Sequence, residues 1–450
     1  MSNASDKQKH PIDRGRRRAI GMLAVAGAAP FLIPRFAHAH KKKRLRIAQY
    51  THFVPQYDEW FENEFVKQWG EANDTQVIID RVGMTSLGSR ARAEIEAGKG
   101  HDLFMFLHPP SVFEDQVIDH REIYEECTQR FGKPLDLAIK STYNPFTKRY
   151  FGFTDSYVPD PVNYRQDLWD EIGIKPDTWD AIRRGGAKIK RSTGIPVGIG
   201  LAPELDSNMA IRSIMLGFGS SVQDAEGHLA LDSRATRNAV DFVTALYGEA
   251  MTEEVFTWDP SSNNRMMLAG HGSLTLNAIS VTRTGEAQRI PIARRIALAP
   301  PAAGPVNRLG VIHLMHCYVI WKFAQNIDGA KQFLVDYLGS FREAFLASKL
   351  YNFPCFPDTV PDLKQLLAKD AMAQPDDKYS VLAAAADWTV SVGHPGFANA
   401  AIDEIYSRWV LSDMFAEAAR GRVSTADAVS KAVKQTEQIF AHWRAVGRLG

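Results

Sequence analysis

The sequence predicts an α/β protein built as two lobes, and three observations carry that expectation. At 450 residues the chain is too long to be served by one hydrophobic core. From residue 45 onward, strand-like runs alternate with segments of helical periodicity. Between two such α/β regions lies an extended, proline-containing segment, residues 149–165, suited to a crossing from one lobe to the other.

The elements follow in order. Residues 45–50 alternate as a strand, residues 51–57 form a loop through Pro55, and Trp60, Phe61, Phe65 and Trp69 place apolar side chains at helical spacing. Residues 76–82 are a second strand, 87–97 a helix stopped at Gly98, and 102–107 an apolar run of the kind buried on both faces of a parallel sheet. Residues 168–174 form a short helix, and Pro176-Asp177-Thr178-Trp179-Asp180 sets an N-cap candidate ahead of a basic one. Residues 196–200 are strand-like, while 207–217 and 233–247 are helical. Residues 270–280 read as a sharp glycine turn, a short strand and a polar tip at Asn277, the place where open α/β sheets hold their ligands. Residues 296–299 and 310–321 are extended, 330–338 and 342–350 helical, and 352–357 a turn. Two helices, 398–419 and 424–443, close the chain on either side of Gly421.

Composition narrows the partners. The chain is 45% hydrophobic and 23% charged, ordinary for a globular protein. Residues 1–39 contribute +5 to a formal total of +1, leaving −4 for the rest, which gives nucleic acid no basic face to use. Those first residues have the pattern of an export signal: Arg14, Arg16, Arg17 and Arg18, an apolar stretch over 19–33, and Ala37-His38-Ala39 as a small-x-small cleavage site. The paired arginines ahead of Ala19-Ile20 resemble a twin-arginine signal, so the expectation is a periplasmic protein starting near His40. Cys127, Cys317 and Cys355 fit neither a metal pattern nor a disulfide framework, and they read as buried small residues.

Several motifs occur in the order of one family. His101-Asp102-Leu103-Phe104-Met105-Phe106 resembles its P-D-apolar strand, Tyr164-Arg165-Gln166-Asp167-Leu168-Trp169 its Y-N-K-D-L motif, and Lys175-Pro176-Asp177-Thr178-Trp179-Asp180 its P-x-T-W-D/E helix start. Leu268 to Asn277 is similar to F-x-x-G-x-x-A-M-x-x-N, and Gly421 to Ala428 to the closing G-x-x-S-x-x-E-A-L helix. The chain therefore resembles the family 1 extracellular solute-binding proteins of ABC importers, the maltose-binding type. The resemblance implies a two-lobed periplasmic binding protein fold with discontinuous lobes, crossing segments and a central ligand cleft. It implies a first lobe of residues 40–155 and 314–352 and a second of 158–312 and 355–450. It also implies a monomer without cofactor that captures a small polar solute by cleft closure and delivers it to a membrane permease.

A sugar needs planar hydrogen-bonding groups and aromatic faces, which directs attention to strand ends and crossings. The ligand candidates are His52 and Tyr57 after the first strand, His108 after the third, and Asp155, Ser156 and Tyr157 at the first crossing. Asn277 and Ser280 follow the glycine turn, His316 lies on the second crossing, and Asn352 and Phe353 on the third. Each has a structural alternative: a surface loop at 52–57, a helix cap at His108, a hinge at 155–157, local backbone bonding at Asn277 and core packing at Phe353. Ser280 stands where the family often has an aromatic residue, which argues against a long maltose-like chain. His313 and His316 tempt a zinc reading, but strand residues three apart point to opposite faces, so no metal is expected. His394-Pro395-Gly396-Phe397 ranks last, as a rim loop. With Asp155 the one carboxylate placed at the cleft, the expected solute is neutral, a sugar or sugar derivative. No G-x-S-x-G, phosphate loop, H-E-x-x-H or dinucleotide fingerprint is present, so an enzyme is not expected. A periplasmic enzyme or a sensor-type binding protein on the same fold is the alternative.

Overall fold

The computed structural model describes residues 42–450, so the export signal read at residues 1–39 lies outside the described residues. Nine strands organise the fold. They are β1 (Lys43–Tyr50), β2 (Thr75–Val82), β3 (Leu103–Phe106), β4 (Phe153–Val158), β5 (Val162–Arg165), β6 (Leu274–Leu276), β7 (Ile296–Ala299), β8 (Leu314–Ile320) and β9 (Phe353–Pro354). Six of them form one sheet in the order β9-β4-β8-β3-β1-β2, and β6-β5-β7 form a second.

The first sheet is mixed rather than wholly parallel. β1 runs parallel to β2 and β3, whereas β8 is antiparallel to both β3 and β4. The expectation of a parallel sheet thus holds for the local β-loop-α repeat and fails where the chain returns after residue 310. Only three residues separate β4 in the first sheet from β5 in the second, so the polypeptide crosses between sheets at residues 159–161. It comes back ahead of β8 and adds β9 at the sheet edge, where sequence reading saw only a turn.

One irregularity in this sheet matters for the site. His316 pairs with Ser156, yet the next residue, Cys317, pairs with Thr154, which leaves Asp155 as an extra residue on β4. A bulge of this kind bends the strand and re-aims the side chain it carries.

Helices cover the first sheet with aromatic side chains. Residues 55–72 form a continuous helix whose middle, Phe61–Val66, is wound as a π-helix. Pro55, expected in a loop, is the first helical residue, where its missing N–H costs nothing. Phe61 and Phe65 stack at 6.0 Å and meet Phe333 and Tyr337 of helix Ile327–Gly339 edge-on. Each such buried ring contributes roughly 1.5–3 kcal/mol of transfer free energy.

Around the second sheet, helix Trp179–Thr193 starts at Thr178, whose hydroxyl accepts from the Ala181 N–H at 3.0 Å. Thr178→Ala removes that partner and is expected to lower stability by about 1 kcal/mol, read as a lower urea midpoint at unchanged slope. Residues 196–200 contribute one bridge, Val197 to Leu274, rather than a strand. The expected helix over 398–419 is two helices, Ala400–Ser407 and Val410–Ala419, broken where Trp409 takes a φ of 58°. Gly270 has a φ of 76°, the turn that glycine allows before β6. Among the described residues no helix is long and apolar enough to cross a membrane. Cys127, Cys317 and Cys355 are buried and free.

Candidate functional site

Two buried polar networks form the candidate site, and Tyr351 lies beside the first. The first is built on the six-stranded sheet. Tyr50 ends β1, His316 lies on β8 and Ser156 on β4, and the side chains form a chain. The Tyr50 hydroxyl is 3.2 Å from His316 Nε2, His316 Nδ1 is 3.1 Å from Ser156 Oγ, and that hydroxyl donates to Asp155 Oδ1 at 3.0 Å. With Ser156 donating to the carboxylate, His316 donates from Nδ1 and accepts from Tyr50 at Nε2, which assigns the neutral tautomer. Burial agrees, holding the His316 pKa well below the ordinary histidine range. Asp155, the bulge residue, is pushed up to about 7 by burial. Its Oδ2 has no hydrogen-bond partner among the described residues.

His52 sits beside this chain in the loop after β1. The Val54 N–H donates to its Nδ1 at 2.9 Å, and Nε2 is 3.0 Å from Asn352 Oδ1, so Nε2 carries the proton. Burial lowers its pKa to about 4, and the ring is neutral at ordinary pH. The loop is pinned from below, because the His52 N–H donates to Asp58 Oδ2 at 2.9 Å and Arg81 pairs with Asp58 at 2.8 Å.

The second network gathers what sequence reading did not bring together. His313 lies between the sheets with Nδ1 3.2 Å from Asp160 Oδ1 and Nε2 3.6 Å from Asp206 Oδ1. Asp160 belongs to the crossing between β4 and β5, and Asp206 to the first turn of helix Leu205–Gly217. Glu204 caps that helix by accepting from the Asp206 and Ser207 N–H groups. Asn263 donates to Asp206 Oδ2 at 2.5 Å, and Asn277 approaches the same oxygen at 3.4 Å. Ser280 donates to Asn277 Oδ1 at 3.3 Å and accepts from Asn264 at 3.1 Å.

Charge in this cluster is held against burial. Burial pulls the His313 pKa down, but Asp206 and Asp160 outweigh it and raise it, favouring imidazolium. Asp160, Glu204 and Asp206 are all raised, first by burial. Three carboxylates and one imidazolium in a dry setting share protons as a unit, and we place the positive charge on His313 because two carboxylates flank its ring.

Tyr351 lies beside the first network, its ring 5.3 Å from that of His52. Burial above all, and then the charges of Asp206 and Asp160, push its hydroxyl well above the ordinary tyrosine range. That hydroxyl is buried without a hydrogen-bond partner among the described residues.

The sequence candidates therefore divide. His52, Asp155, Ser156, His316 and Asn352 come together in the first network, and Asn277 and Ser280 in the second. Tyr57 packs behind His52 with ring centroids 4.4 Å apart, its hydroxyl 2.7 Å from that of Tyr337, which makes it a support of the lobe interior. Tyr157 and Phe353 face each other across β4 and β9 at 5.8 Å, and Phe353 also meets Phe345, so both are packing residues. His108 turns elsewhere: its Nε2 is 3.1 Å from Asp403 Oδ1 and its ring stacks on Tyr406 at 4.6 Å, fastening a C-terminal helix. His313 and His316 enter separate networks and share no ligand position. The carboxylate count is the main departure. Asp160, Glu204 and Asp206 join Asp155 near the crossing, so the argument for a neutral solute loses its premise.

Two sheets joined by short crossings, with buried polar side chains converging where the crossings lie, define a two-lobed binding protein fold. The family model for bacterial extracellular solute-binding protein matches residues 55–349, and the chain belongs to that family. It is similar to a Brucella abortus (strain 2308) protein named as a binding protein, at 20% identity over 312 residues covering 66% of this chain and 71% of that one. Among solved structures it is similar to the maltose-bound T. maritima MalE3, with a TM-score of 0.71 and 18% identity, covering 88% of this chain and 99% of that one. A sugar transporter from Arthrobacter chlorophenolicus A6 with bound laminaribiose gives a TM-score of 0.72 at 15% identity, with 88% and 99% covered. These likenesses establish the periplasmic binding protein fold, and the family establishes a solute-binding role.

Proposed function

We propose that this chain is the periplasmic solute-binding component of an ABC importer. It captures a small polyhydroxylated solute, a sugar or sugar derivative, by closure of two lobes and hands it to the membrane permease. The proposed lobes are residues 40–155 with 314–352 and residues 158–312 with 355–450, and a twin-arginine-like signal at residues 1–39 delivers the chain. The binding residues under this reading are His52, Asp155, Ser156, His316 and Asn352 on one side and Asn277 and Ser280 on the other.

The observation that carries the reading is the orphaned hydroxyl of Tyr351, buried beside His52 of the first network. Buried polar groups in a folded protein are almost always bonded, and a hydroxylated solute supplies the donors and acceptors this one lacks. Sugar specificity draws on the structurally similar proteins solved with bound maltose and with bound laminaribiose. A thermal-shift panel of sugars and polyols tests it. A bound solute at a hundredfold excess over Kd stabilises the protein by about 2.7 kcal/mol, visible as a Tm rise of several degrees. No shift with any small solute, together with turnover of a substrate panel, would move the chain to the enzyme alternative.

A further inference from the structure

Helix Leu205–Gly217 carries a buried cation to which the fold brings no carboxylate. Arg212 is 4% exposed and makes no ion pair among the described residues. Its guanidinium lies over the Tyr406 ring, donates to the Val392 carbonyl at 3.1 Å and reaches Asn208 Oδ1 at 3.4 Å, and all three partners are uncharged. Nη2 has no hydrogen-bond partner among the described residues. Burial lowers the Arg212 pKa to about 10, which leaves the group charged at pH 7. A charge taken out of water is ordinarily paired.

The same side chain lines a small cavity in which the centre of a water-sized sphere has about 10 Å³ to occupy, room for a single particle. Gln223, Ser391, Val392 and His394 are among the other walls, and no carboxylate is. Ser221 and His394, both half-buried, give the cavity its way to solvent. Ser391 Oγ accepts from the Gly393 N–H at 3.4 Å and gives its own hydrogen to no acceptor among the described residues. Burial and then Lys140 lower the His394 pKa, so that ring is neutral at pH 7. Lys140, which donates to the Pro395 carbonyl at 3.2 Å, adds positive charge on this side. A water molecule in the cavity would bond Nη2 and leave the guanidinium charge unbalanced, whereas an anion does both.

We propose that this cavity is a site for one small monovalent anion of chloride's size, held by the Arg212 guanidinium and the Ser391 hydroxyl. The ion ties helix Leu205–Gly217, whose first turn carries Asp206, to residues 391–394. None of the proposed solute-binding residues lines the cavity, so the site stands whatever solute the protein takes.

Bromide, which replaces chloride and scatters anomalously, tests it. In crystals of the protein soaked in sodium bromide, an anomalous peak is expected within hydrogen-bond reach of Arg212 and Ser391. A water there, or bromide only elsewhere, overturns the inference. In solution at constant sodium concentration, the thermal midpoint is expected to rise by about 2 °C or more, and to saturate, as chloride or bromide replaces gluconate, an anion too large for the cavity. Arg212→Met, which keeps the length and removes the charge, is expected to lose that rise. An equal rise in the variant, or none in the wild type, overturns the anion site and leaves the solute-binding role standing. A crystal peak without a rise in solution marks binding at crystal concentration only and overturns it as well. Where the variant does not fold, the bromide map and the wild-type titration decide.

Discussion

Replacing Asp155 with Asn stabilises the unliganded protein at pH 8 and leaves it nearly unchanged at pH 4. The carboxyl is fully buried, and burial raises its pKa to about 7 from an ordinary value near 4. Between those values the native protein holds a proton that the unfolded chain has released, so wild-type stability falls as pH rises through this window. Above about pH 7 the whole cost is present, on the order of 4 kcal/mol, and Asn does not incur it. The advantage of Asp155→Asn should therefore grow from pH 4 to about 7 and then level off. Urea midpoints of the two proteins across pH 4 to 9 measure it, and a difference independent of pH would contradict it. The comparison has to be made against wild type at each pH, because His52 titrates in the opposite sense. Its folded pKa near 4 means that wild-type protein loses stability on acidification from about 6.5 downward, whatever stands at residue 155.

His313→Ala is the second large effect. It removes the cation between Asp160 and Asp206 and leaves buried carboxylates facing one another. Breaking a buried pair by deleting one partner costs about 3–5 kcal/mol. The sign with pH follows from the raised His313 pKa. The imidazolium's contribution is complete below the unfolded value near 6.5 and is lost as pH rises through the folded one. The substitution should thus cost less as pH is raised above 6.5, where wild type comes to lose the same charge. A cost independent of pH would mean that His313 acts by packing alone.

How far the sequence leads differs between the fold and the site. Local signals were legible: the alternation of residues 45–50, the apolar run of 102–107 and the cap signal in residues 176–180 each announce an element through its own residues. His313 and His316 part for another reason than the strand alternation expected of them, since the strand begins at Leu314 and His313 lies in the bend before it. What failed depends on long-range placement. Pro55 suits a loop or a first helical turn equally, and packing of Tyr57, Phe61 and Phe65 against Phe333 and Tyr337 settles it. β9 is a strand because it pairs with β4 at the edge of the sheet. In the site, Asp155 owes its direction to a bulge set by pairing with β8, which no local pattern encodes. Asp160 hides between two prolines and Asp206 opens an apolar helix, where an acidic residue ordinarily means a favourable dipole and nothing more. Only the return of the chain at His313 brings the two together. Tyr351, ahead of the candidates Asn352 and Phe353, carries no local signal, because its hydroxyl shows its lack of a partner only in three dimensions.

Under the proposed function a small solute is held between the two networks, at the unpartnered Tyr351 hydroxyl. A crystal structure of the protein with the solute that shifts its Tm most tests this directly. The account predicts density for one solute within hydrogen-bond distance of the Tyr351 hydroxyl and of Asp206, with Asn277 and Asn352 on its flanks. Solute bound elsewhere, with Tyr351 and Asp206 untouched, would contradict it.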